Sequence, residues 1–219
     1  MSYQHQWLDG SQINLPVGKA VCVGRNYAAH AKELGNVVPD APILFIKPST
    51  SIVPLSPSFS IPSDRGSCHH ETEIAVLIGQ TISKISVEDV PAAIAGYGLA
   101  LDLTLRDLQN QLKKQGYPWE VAKAFDGACP LSPFIKPEQF GDVYHTEFAL
   151  TVNGEQRQRG LTEDMITPVY ELITYISQIF TLEAGDIVLT GTPEGVAPLA
   201  AGDKLVLSVV GQRFETVVV

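Results

Sequence analysis

The sequence predicts a β-rich α+β domain. Six short apolar runs read as strands, two turn signals join neighbouring runs as hairpins, and the few helical segments do not alternate regularly with the strands.

The elements follow in chain order. Residues 1–18 form an amino-terminal arm or lead-in strand. The apolar run Ala20-Val21-Cys22-Val23 comes next, with Cys22 read as a small buried hydrophobe. Residues 26–34 have helical spacing and stop at Gly35, a C-cap candidate. A strand over 41–46 leads into the Pro/Ser-rich stretch 48–62, which reads as an irregular connection with short extended pieces. Strands at 74–78 and 97–101 flank a short helix, opened by a capping box of Ser86 and Asp89 and ending near Gly96. A helix over 104–115 carries Leu105, Leu108 and Leu112 on one face and stops at Gly116. After strand 148–152, Asn153-Gly154 marks a hairpin, because a type I′ turn needs positive φ at both central positions. Thr167 and Pro168 open the longest helix, with Val169, Leu172, Ile173, Ile176 and Ile179 as its buried stripe. Strands 187–190 and 205–210 follow, and Val210-Gly211-Gln212 turns a second hairpin into the terminal strand.

Composition narrows the function. The chain of 219 residues shows no internal repeat or long linker, so one domain spanning 1–219 is expected. A formal charge of −9 argues against a nucleic-acid partner, because phosphate binding depends on a basic face. It leaves room for a small anionic substrate, since a few local cations outweigh the global field at short range. No run approaches the ~20 apolar residues of a membrane span. The amino terminus has neither the basic nor the apolar region of a signal peptide, which predicts a cytoplasmic protein. Cys22, Cys68 and Cys129 are too few and too scattered for a disulfide framework. The glycines of Gly191-Thr192-Pro193-Glu194-Gly195 lack the lysine that a phosphate loop requires.

Three acids stand out. In His69-His70-Glu71-Thr72-Glu73-Ile74 the chain passes from polar to fully apolar without a break. A strand there would point Glu71 and Glu73 to one face, about 7 Å apart at Cβ. Asp102 closes the apolar run before the 104–115 helix in a matching way. Buried acids need a counter-charge, and an all-carboxylate set suits Mg²⁺ or Mn²⁺. Other readings stay open on the residues alone: Asp102 could cap the following helix, Glu71 and Glu73 could lie on a solvated strand end, and Cys68, His69 and His70 raise zinc.

His30 and Glu33 share a helical face, where the carboxylate can orient the imidazole and raise its basicity. Lys123, in Ala122-Lys123-Ala124-Phe125, is expected as a partly buried ammonium useful against a developing oxyanion. Arg106 can grip a carboxylate bidentately, with Gln109 one turn on, although a partnership with Asp107 would serve equally. Thr192 offers a hydroxyl and a backbone N–H, and Arg25 flanks the His30–Glu33 pair.

Taken together, GRNYAAHAKELG, HHETEIAVLIG, LALDLTLRD, the lysine of AKAFD and LTGTPEGV resemble the small single-domain members of the fumarylacetoacetate hydrolase family, in the same order along most of the chain. That resemblance implies a mixed β-roll or sandwich of the fumarylacetoacetase C-terminal type with a few peripheral helices, and a homodimer. It also implies one Mg²⁺ or Mn²⁺ on Glu71, Glu73 and Asp102, with His30–Glu33 activating water and Lys123 holding an oxyanion. Arg25, Arg106, Gln109, Lys123 and Thr192 are then expected around a small oxo-acid substrate. The expected activity is hydrolysis of the C–C bond of acylpyruvates through a metal-stabilised enolate. Oxaloacetate tautomerisation or decarboxylation is the alternative, because the same enolate serves all three. A hydratase, decarboxylase or isomerase of dienoates from aromatic degradation is a further one.

Overall fold

A computed structural model describes residues 3–35 and 37–219. It is β-rich, as expected: a mixed seven-stranded sheet, a five-stranded sheet and a small three-stranded one, with short helices around them. The large sheet runs in the order Ile43–Lys47, Ala20–Gly24, Ile187–Leu189, Thr72–Ile78, Ile94–Leu101, Cys129–Leu131, Ile52–Pro54. Its central strand, TEIAVLI, is buried at every position, which is why it reads as a continuous apolar run and not as an alternation.

The period-two geometry of that strand divides the core. Ile74, Val76 and Ile78 face one cluster, which takes in Phe148, Leu150, Leu205 and Leu207 of the five-stranded sheet and the helix Val169–Ile179. Ala75 and Leu77 face a second, smaller cluster built from Ala20, Cys22, Ala100 and Cys129, with Phe45 and Phe134. Glu73 and Asp102 continue the alternation of Ala75 and Ala100, so both acids emerge on the small-residue side. The arm reaches the same side, where Trp7 bridges to Phe134 and Ile13 is buried.

Both hairpins form where expected: Glu147–Val152 with Glu155–Leu161, and Lys204–Val209 with Gln212–Val218. Asn153, Gly154, Val210 and Gly211 all have positive φ, as the turns require. Within 48–62 the extended pieces are Ile52–Pro54 and Ser58–Phe59.

Several boundaries differ from expectation, each for a local reason. The helix from 26 shortens to Ala28–Glu33, because the Asn26 side chain is spent on Thr167 and Thr190 and the chain through Tyr27 stays extended. The segment opened at Ser86 is a 3₁₀ turn, Val87–Asp89, then a helix over Val90–Ala93. Ser86 bonds the Asp89 carboxylate and caps no backbone N–H, and the chain enters its strand at Ile94, not near Gly96. The helix expected from 104 begins at Arg106, since Thr104 and Leu105 pair with His69 and Cys68. Ile179, expected in the buried stripe, is 53% exposed. Ser177 takes the inward place on that turn and receives the Ile85 N–H. Among the described residues no helix is long and apolar enough to cross a membrane.

Candidate metal and substrate site

The expected single strand through Glu71 and Glu73 is interrupted. Cys68–His70 belongs to the small sheet and Thr72–Ile78 to the large one, with Glu71 at the changeover. The Glu71 carbonyl still accepts the Asp102 N–H at 2.8 Å, so the two strand ends stay side by side. One carboxylate oxygen from each of Glu71, Glu73 and Asp102 lies within 4.8 Å of the others, and all three residues are buried. Among the described residues this is the one group of His, Cys, Asp and Glu side chains close enough to share an ion. The zinc reading loses its basis: His70 is committed to Gln158, and burial pushes the Cys68 thiol up to about 11.

Buried carboxylates are costly without counter-charge, and the structure supplies it unevenly. Lys123 Nζ lies 2.8 Å from Glu71 Oε2 and 2.6 Å from Asp102 Oδ2, over the Phe45 ring at 5.1 Å. Lys47 Nζ is 2.8 Å from Asp102 Oδ1, an ion pair without hydrogen-bond geometry, and it also donates to the Lys123 and Ala128 carbonyls. Arg106 is ion-paired with Glu71 and donates from Nη1 to Gln109 Oε1 at 2.7 Å.

Among the described residues, Glu73 accepts a hydrogen bond only from the Gly191 N–H, at 2.7 Å. Burial, then Asp102 and Glu71, push its carboxyl well above the ordinary carboxylate range. The Glu71 carboxyl moves the other way: burial raises it, but Lys123 and Arg106 outweigh that and hold it well below. Asp102 caps no helix, because its side chain is taken by the two lysines. Three hard oxygen donors converging with one uncompensated acid fit a hard divalent cation.

The remaining predicted residues gather at the same cavity. Arg25, His30, Arg106, Gln109, Lys123 and Thr192 all line it, along with Phe45 and Trp119. The side chains leave a cavity volume of about 30 Å³ among them, a scale that suits a small ligand. His30 Nδ1 donates to Glu33 Oε2 at 3.3 Å, and the Gly195 N–H binds Glu33 Oε1 at 3.0 Å, so Glu33 stands behind the imidazole.

Three details differ from the expected roles. Lys123 lies fully among the carboxylates, not partly buried beside them. The Thr192 hydroxyl is engaged, donating to the Thr72 carbonyl and accepting from Gln158. Arg106 is already paired, although its buried Nε keeps an N–H without a partner. Arg25 sits at φ +63°, a strained conformation for a non-glycine residue, which turns the chain from strand Ala20–Gly24 into the helix of His30.

Lys47 and Gln158 escaped the sequence reading. Lys47 closes the apolar run ILFIK, and the need to neutralise three acids was its only signal. Gln158 lies in the polar run EQRQR and carried none.

The family profile described as fumarylacetoacetate (FAA) hydrolase C-terminal matches residues 19–218. The chain belongs to the fumarylacetoacetate hydrolase family. It is 56% identical over 215 residues to oxaloacetate tautomerase YcgM of Escherichia coli, covering 98% of each chain. A crystal structure of a fumarylacetoacetate hydrolase family protein from Yersinia pestis superposes with a TM-score of 0.98 at 53% identity, covering 99% of this chain and 100% of that one. A fumarylpyruvate hydrolase from Pseudomonas aeruginosa, solved with Mn²⁺ and pyruvate, superposes at 0.92 with 37% identity, covering 100% and 96%. The fold expected from the resemblance is thereby the fold observed.

Proposed function

We propose that this member of the family interconverts the keto and enol forms of oxaloacetate. The observation that carries the reading is a proton-moving pair, His30 backed by Glu33, opening on the same small cavity as a buried carboxylate triad. Acylpyruvate hydrolysis, the activity first expected, rested on that same pair. A base able to draw a proton from water can equally draw one from carbon, so the pair does not favour hydrolysis. The relative matching 98% of the chain at 56% identity is an oxaloacetate tautomerase, whereas the fumarylpyruvate hydrolase stands at 37%, and this supports tautomerisation.

Glu71, Glu73 and Asp102 would hold Mg²⁺ or Mn²⁺, which when bound supplies Lewis-acid charge to the carboxylate and carbonyl oxygens of a 2-oxo acid. The chain's own residues do the rest. With Nδ1–H directed at Glu33, His30 presents Nε2 as the base for a C3 proton. Lys123 keeps its proton: burial opposes the charge, but Asp102 and Glu71 overcome it and hold the ammonium above the ordinary lysine range. It donates a hydrogen bond toward the oxygen at C2 as negative charge develops there, and the proton that His30 took from C3 is handed back to that oxygen, which completes the enol and returns His30 to its basic form. Arg106, through its spare Nε–H, and Arg25 are suited to the substrate's carboxylates.

The test follows enol and keto oxaloacetate by absorbance, with pyruvate release and acetylpyruvate cleavage measured in parallel, in Mg²⁺, Mn²⁺ and EDTA. The reading expects metal-dependent tautomerisation that outpaces the other two and falls by about 10²–10⁴-fold in His30→Ala. Acetylpyruvate cleavage faster than tautomerisation would restore the hydrolase reading, and His30→Ala at full rate would remove the assigned base.

A further inference from the structure

From the hydrogen bonds around it, we infer that Gln158 is a positioning residue, locking the loop 191–195 to the carboxylate strand and thereby setting the His30–Glu33 pair. The inference rests on the proposed function only for the identity of the reaction.

Gln158 lies in strand Glu155–Leu161, where the register against Glu147–Val152 shifts: Leu150 pairs with Gln158 and Thr151 with Gln156. The extra residue is a bulge, which re-aims a side chain, and Gln158 is 1% exposed in an otherwise exposed polar run. All of its amide capacity is used. Oε1 accepts the Thr72 N–H at 3.0 Å and the His70 Nδ1–H at 3.0 Å. Nε2 donates to Thr192 Oγ1 at 2.8 Å and to the Pro193 carbonyl at 2.9 Å. The orientation of the amide is forced, because a backbone N–H meets only oxygen and a carbonyl meets only the NH₂.

What Gln158 holds has few other ties. The strand ends at Leu189, and Thr190 makes the last backbone bond to the sheet. Beyond it, among the described residues, the loop's backbone is tied by side chains: Gly191 N–H by Glu73, the Pro193 carbonyl by Gln158, Gly195 N–H by Glu33. Gly195 is itself jammed against the bulge, since a Cβ there would lie 2.0 Å from the Arg157 carbonyl oxygen. Alongside the Thr192 hydroxyl on the Thr72 carbonyl and the Gly191 N–H on Glu73, this amide joins the strand of Glu73 to the loop whose far end orients Glu33. Outer partners of this kind typically change activity by about 10–100-fold when lost.

Gln158→Glu keeps the shape but sets a carboxylate against the Pro193 carbonyl, and Gln158→Met removes every bond while filling the space. Each is measured for urea midpoint, for Mn²⁺ affinity by calorimetry, for kcat and KM of oxaloacetate tautomerisation, and for amide exchange in a peptide covering 191–196. The expected result is kcat lower by about 10–100-fold, faster exchange in that peptide, and Mn²⁺ affinity within about threefold, as Glu73 lies on a strand of the large sheet and Glu71 stays bonded to Asp102 through the backbone. In a Glu33→Ala background, Gln158→Glu is expected to cost no further kcat, because coupled residues are non-additive. Unchanged exchange, or kcat losses that multiply independently of Glu33, would overturn the inference, as would a fall in urea midpoint with kcat intact. If Gln158→Glu does not fold, Gln158→Met carries the same readouts. A wild type that leaves oxaloacetate untouched defeats the proposed function, while the exchange measurement still decides the role of Gln158.

Discussion

Glu73 is the acid whose surroundings least suit its charge, and its titration gives the sharpest test of the site. A carboxyl raised in the folded state contributes stability at acid pH, below its unfolded value, and that contribution is lost as pH rises through the folded value. Metal-free protein in EDTA is therefore expected to lose Tm as pH rises above the ordinary glutamate range, and Glu73→Gln to lose less. Mn²⁺ affinity, read by calorimetry, is expected to fall by at least about tenfold in Glu73→Gln, since a neutral amide is a poor ligand for a hard cation. Lys47 gives a second test. It is wholly buried, paired with Asp102 and bonded to two carbonyls. Lys47→Met is expected to cost about 3–5 kcal/mol in urea unfolding, as removal of one partner from a buried pair does. A cost under about 1 kcal/mol would place that lysine outside the network's energetics.

At the scale of elements, the site is assembled from strand ends and the turns leaving them. Gly191 marks one such turn. It sits at φ +96°, and a Cβ there would come within 2.6 Å of Asn26 Cβ. Asn26 in turn ties Thr190 to Thr167, joining the sheet to the start of the long helix. Gly191→Ala is therefore expected to destabilise by about 1–3 kcal/mol, from left-handed strain together with the clash. It should also loosen the loop that carries the Glu73 contact, seen as faster amide exchange at 191–196. The elements legible in the sequence were those with a local signature: the apolar central strand, the two hairpins and the Pro168 helix. Boundaries failed where a residue that looks like a helix signal is engaged in some other contact. Asn26, Ser86 and Thr104 each resemble a local helix signal, and each is bonded or paired elsewhere.

For the whole molecule, the site couples to folding, because its carboxylates come from separate strands and converge only in the folded chain. An ion bound by the native state alone stabilises it by about 2.7 kcal/mol at 100 times its Kd. For a chain of this size that corresponds to a Tm increase of roughly 5–10 °C. Thermal scans with Mn²⁺ against EDTA should show that rise in wild type and its loss in Glu73→Gln; equal Tm values would argue against the triad as an ion site. The sequence by itself determined the β-rich fold class and the central strand, which rest on apolar runs and turn signals, and it marked out the three acids by their charge against apolar runs while leaving their role open. Only the tertiary structure decided what neutralises them. Lys47 and Gln158 lie far from Asp102 and Thr192 along the chain, and only the sheet and its bulge bring them together. The tertiary structure also broke the strand at Glu71 without parting Glu71 from Glu73, because the pairing of Glu71 with Asp102 across the sheet holds where the strand itself does not.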